Sequence, residues 1–121
     1  MKKLALFLLL IIGVCNANAG NLHTWYHVDG WNYELIGHDY TDSHGTYGYI
    51  DVYIDGEVIP IIRVIGNCSL NRMLELFIQI EDWQDILAEA RDAYLDWKNK
   101  RQQGLITYSW DTRTYAVHDN S

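Results

Sequence analysis

Histidines, clustered carboxylates and a cysteine are the side chains of this 121-residue chain that could do chemistry. His23, Trp25 and His27 alternate with Thr24 and Tyr26, so in an extended strand they share one face. The two imidazoles then stand roughly 13 Å apart, at about 3.3 Å per residue, too far to hold one ion together. His38, Asp39, Asp42 and His44 crowd into a polar stretch where a loop could gather ligands. Their spacing matches no zinc pattern, and a solvated loop accounts for them. Cys68, in Gly66-Asn67-Cys68-Ser69, would be an activated nucleophile only at the start of a helix, with His44 or His118 as base. Asp51 and Asp55 share a strand face, and Glu34 sits beside two histidines. Spacing along a strand does not make carboxylates converge across a cleft. A Gly-rich phosphate loop, a Ser-centred nucleophile elbow and a Cys pair spaced for redox or zinc are all missing from the sequence. These residues favour binding over catalysis, with no catalytic residue, metal or cofactor expected.

The start of the chain reads as an address. Met1-Lys2-Lys3, the apolar run Leu4–Val14 and the exit Ala17-Asn18-Ala19 have the form of an export signal. The run is shorter than the roughly 20 apolar residues a spanning helix needs. Cys15 could mark a lipid anchor, but Val14 before it is larger than such signals want. The expectation is cleavage after Ala19, a mature chain over 20–121 with no integral membrane span, and a periplasmic or secreted location. Cleavage removes Lys2 and Lys3, so the formal charge of −7 becomes more negative by two. An acidic surface is repelled by phosphate backbones and anionic lipid, which argues against nucleic acid and leaves a cationic partner open. Cys15 leaves as well, and Cys68 then has no intramolecular disulfide partner. All 5 Trp and 9 Tyr remain, and burial of apolar and aromatic side chains must carry the fold.

These residues need elements to position them. Asp29-Gly30 and Asp55-Gly56 lie between strand-like runs and suit two-residue hairpin turns. They predict hairpins over 22–37 and 47–65, with Asp39–Gly45 as the loop between. Leu74, Leu76, Ile78 and Ile80 alternate with Glu75, Phe77, Gln79 and Glu81, which predicts a strand over 72–81. Trp83, Ile86, Leu87, Ala90, Tyr94 and Trp97 then take helical spacing. Asp82 is placed to cap a helix over 83–103, and Gly104 to end it. Leu105–Trp110 and Thr114–His118 read as a last hairpin or two edge strands. The fold class is α+β, one small domain with an antiparallel sheet and one long helix on one face.

Register assigns the faces. Across Asp29-Gly30, Val28 opposes Trp31, Tyr26 opposes Tyr33 and Thr24 opposes Leu35, forming a core face. His23, Trp25 and His27 fall on the reverse, opposite Ile36, Glu34 and Asn32. A two-residue turn at Asp55-Gly56 would group Ile50, Val52 and Ile54 with Ile59 and Ile61. It would group Tyr47, Tyr49 and Tyr53 with Val58, Ile62 and Val64. A lone helix covers one face, so the sheet curls into a partial barrel or the second face meets another molecule. Residues 74–80 in helical form would provide a second cover, and no partner would then be needed to shield that face. The expected role is a small exported module that binds protein, such as an inhibitor, immunity or exclusion factor acting on a cationic macromolecule. Its binding residues would be His23, Trp25, His27, Glu34, Tyr47, Tyr49 and Tyr53. The alternatives are a histidine-based metal protein or hydrolase, and a subunit of an envelope assembly. A homodimer would form through Cys68 or the second sheet face.

Overall fold

The structure, a computed structural model, describes residues 21–43, 45–77 and 82–118. The expected signal over 1–19, His44 and residues 78–81 lie outside the described residues. Five strands make one open sheet in the order β1-β2-β3-β4-β5: Asn21–Val28, Trp31–Asp42, Gly45–Ile54, Ile62–Gly66 and Arg113–Val117. Neighbours are antiparallel from β1 to β4, while β5 runs parallel to β4. Two helices, α1 over Leu70–Phe77 and α2 over Trp83–Gln102, lie between β4 and β5 in the chain. The fold is α+β with a mixed sheet that does not close.

The first hairpin has the expected register, from Val28↔Trp31 through Thr24↔Leu35 to Asn21↔His38. Asp29 (φ 52°) and Gly30 (φ 78°) both take the left-handed conformation a type I′ turn requires. The second connection differs. Only Gly56 turns left-handed there (φ 88°), and the chain continues as a loop to Ile61, whose N–H donates to Val52 O. Pro60, which has no N–H to donate, sits in that loop. Val52 therefore faces Ile62, and not Ile59. This odd offset reverses the faces: Ile62 and Val64 are buried beside Ile50 and Val52. Arg63 and Ile65 take the face with the tyrosines, and Val58 is a loop tip, 89% exposed.

Three further expectations are corrected. Residues 39–42 extend β2, and only Ser43 and His44 separate it from β3. The segment expected as a strand from 72 is helical through Phe77, because Leu70, Met73 and Leu74 can all reach the core from one side of a helix. Gly37, Gly48 and Gly66 make room for it. A Cβ on Gly48 would stand 2.8 Å from the Leu70 backbone, and one on Gly37 would stand 2.7 Å from Leu70 Cδ1. Finally, 105–110 forms no strand. Trp97 Nε1 donates to Tyr108 O (2.9 Å) and Arg101 Nη1 to Thr107 O and Tyr108 O (both 2.7 Å), which ties this segment back along α2.

Helix α2 matches expectation in length and in its buried stripe, Trp83, Leu87, Ala90, Tyr94 and Trp97. Asp82 occupies the N-cap without a side-chain cap bond. Gly104 (φ 77°) closes the other end. Its N–H reaches Arg101 O and the Leu105 N–H reaches Lys100 O, the paired bonds of a Schellman turn. Arg91 Nη1 donates to Tyr33 Oη (3.2 Å), and Trp83 meets Tyr115 edge-on. Tyr33 and Tyr115 project from the face that carries Val64. Both helices therefore lie on one side of the sheet. The second cylinder thickens the same layer.

Candidate functional site

Alternation along β1 to β5 puts a consistent set of side chains on the side away from the helices. Register aligns them in rows. One row crosses all five strands: His23, Ile36, Asp51, Arg63 and Thr114. Next to it runs Trp25, Glu34 and Tyr53, and on the other flank His38, Tyr49, Ile65 and Ala116. Among the described residues no helix packs on this side. Trp25 is 43% exposed and Ile65 36%.

The polar groups of the face are tied to one another. His23 Nε2 and Glu34 Oε2 are 2.6 Å apart, and the imidazole lies 4.7 Å from the Trp25 ring centre. Arg63 donates through Nε (2.7 Å) and Nη2 (2.9 Å) to the two oxygens of the buried Asp51 carboxylate. That bidentate geometry raises the Arg63 pKa further and sets the guanidinium 4.6 Å from the Tyr49 ring centre. Burial, reinforced by the negative charges of Asp51 and Glu34, pushes the Tyr53 hydroxyl pKa up and keeps it protonated. His38 Nδ1 pairs with Asn21 Oδ1 (2.8 Å), and its ring stands against Tyr49.

All seven sequence-derived binding residues lie on this face, but they are not one cluster. Trp25, His23, Glu34 and Tyr53 are neighbours, and Tyr49 joins them through Arg63 and Asp51. His27 pairs with Asn32 Oδ1 beside the hairpin turn, away from that group. Tyr47 lies toward the opposite end of β3. Sequence reasoning missed Arg63 and Ile65. Pro60, which has no N–H for a ladder, was the signal that the next strand begins later than a two-residue turn would place it.

The chemical candidates come apart. His38 and Asp39 are consecutive in β2 and face opposite sides. Asp39 Oδ1 accepts the Leu70 N–H (2.8 Å) at the start of α1. Among the described residues no three His, Cys, Asp or Glu side chains gather to hold a metal. A helix does open just after Cys68, which the expected strand over 72–81 would not have allowed. Its first amide is taken by Asp39, and Cys68 packs half-buried against the core. Asp55 is exposed at the turn, apart from the Asp51–Arg63 pair. The His23–Glu34 pair could orient an imidazole as a base, but the described residues of this face include no Ser or Cys to activate. The arrangement is suited to contact: rings and aliphatic groups between charges already paired. Among the described residues no helix is long and apolar enough to cross a membrane. No family model matches the chain, and neither a curated protein nor a solved structure matches it.

Proposed function

We propose that the chain is an exported protein-binding module, of the inhibitor, immunity or exclusion type, that docks a basic macromolecule on its helix-free sheet face. One observation carries this reading. Both helices share a side, which leaves the exposed Trp25 ring and Ile65 on a surface with Tyr49, Tyr53 and Ile36. Aromatic side chains of this kind contribute large contact area at small entropic cost, and they dominate interface energetics. The ion pairs around them are pre-formed, so little ordering remains to be done on docking. The formal charge of −7, more negative by two after cleavage of the signal, favours a cationic partner and steers its approach.

The test is titration of the purified protein against basic secreted and cell-wall-acting proteins at low and high salt. A stoichiometric complex is expected that weakens with salt. Trp25→Ala or Tyr49→Ala should weaken it by about 2 kcal/mol while the protein stays folded. A complex indifferent to both substitutions, or no complex at low salt, refutes the reading.

A further inference from the structure

The type I′ turn makes Val28 and Trp31 a mutually hydrogen-bonded pair, and in an antiparallel ladder such pairs recur at every second residue. Leu22, Thr24, Tyr26 and Val28 thus bond inward to β2. His23, Trp25 and His27 direct their N–H and C=O groups outward from the sheet. The sheet begins at β1, and among the described residues no strand pairs with that outer side.

Exposed edges of this kind recruit other strands, and folded proteins blunt them with charge, proline, bulges or short length. β1 has none of these devices. It is eight residues long, Asn21-Leu22-His23-Thr24-Trp25-Tyr26-His27-Val28, without Lys, Arg, Asp, Glu or Pro. Its register against β2 runs unbroken from Asn21↔His38 to Val28↔Trp31. The opposite edge is guarded better: β5 has five residues and starts with Arg113.

We infer that the β1 edge pairs antiparallel with β1 of a second copy of this chain. The occupant must be an extended strand, because only a strand answers alternating outward donors and acceptors. Outward-bonding residues must face outward-bonding residues, so a two-fold register with Thr24 opposite Thr24 fits. It sets His23 beside the second copy's Trp25, repeating across the junction the ring contact made within one chain at 4.7 Å. On the helix side it sets Leu22 against Tyr26, both buried and core-facing. No formal charges meet along the strand. A two-fold contact also removes both unguarded edges at once, whereas a foreign peptide would satisfy only one. The two helix-free faces then become one continuous surface. This inference does not depend on the docking reading, and its salt dependence has the opposite sign. Copies that each carry a net negative charge repel, so screening strengthens the dimer.

Sedimentation velocity over a range of protein concentration, with amide hydrogen exchange on the same samples, tests it. A dimer is expected that tightens with salt. In it the His23, Trp25 and His27 amides become protected as concentration rises, while those of Thr24 and Tyr26 are protected throughout. His27→Pro removes an outward N–H and the exposed side-chain bond to Asn32 but no backbone bond to β2, and should weaken self-association roughly tenfold. A monomer at every concentration overturns the inference. So does a dimer in which those three amides exchange as freely as in the monomer, or a folded His27→Pro protein that dimerises like the parent. The exchange measurement needs no variant.

Discussion

Glu57 is the residue on which the loop after β3 and helix α2 converge. Lys98 Nζ donates to both carboxylate oxygens and Tyr94 Oη to one, each at 2.8 Å. Lys98, then Tyr94, hold the Glu57 carboxyl below its ordinary 4.5. A depressed acid stabilises the fold above its unfolded value, and that contribution disappears as pH falls through the folded value. Tyr94 is the converse. Burial first, and then the bond to Glu57, push its hydroxyl from 10.0 up to about 12. Its contribution is complete below pH 10 and disappears as pH climbs toward 12. The melting temperature followed against pH should therefore fall on both sides. Glu57→Gln should flatten the acid limb below pH 4.5, and Tyr94→Phe should flatten the alkaline limb between pH 10 and 12. Tyr26 and Tyr33, whose pKa values are raised mainly by burial, keep some alkaline slope in the second variant.

At the scale of elements, α1 is where sequence and structure part most clearly. Leu74, Leu76, Ile78 and Ile80 alternate like a strand, yet Leu70, Met73, Leu74 and Phe77 recur at helical spacing over the same stretch. Period alone could not decide. The decision rests on glycines outside the helix, Gly37 and Gly48 far away in the chain and Gly66 just before it, which let a helix lie close on the strands. That dependence yields a ranking. Gly48→Ala directs a methyl at the Leu70 backbone, which cannot rotate away, and should cost about 2–3 kcal/mol in urea unfolding. Gly66→Ala meets only the buried Met73 side chain, from Cγ outward, which a change of rotamer can withdraw without moving backbone, and should cost less. Equal losses would mean that α1 is free to shift. The first hairpin was legible for the opposite reason: Asp29-Gly30 determines its own turn, and the turn determines the register. The strand after Asp55-Gly56 was not, because its register depends on how far the loop runs before Ile61 meets Val52.

For the whole molecule, the candidate face was readable in outline from β1 and β2, where His23, Trp25 and Glu34 needed only a turn to bring them together. Its other half depends on β4 and β5 and was not legible. Nothing local to Arg63 reveals that it clasps Asp51, and nothing local to Arg113–Val117 reveals a parallel partner far earlier in the chain. β5 supplies buried Val117 and core-packed Tyr115 and lies along β4 throughout its length. Truncation before Arg113 should accordingly broaden or abolish cooperative thermal unfolding; a sharp transition at the parental temperature would show that β5 is dispensable. The parallel pairing has a temporal consequence too. Consecutive hairpins can zip up as soon as their residues leave the ribosome, but β4 waits for both helices and the segment tied along α2 before its neighbour exists. Closing so long a detour is entropically expensive and therefore late. Every newly made molecule consequently passes through an interval with two raw margins, one of which its own tail eventually seals.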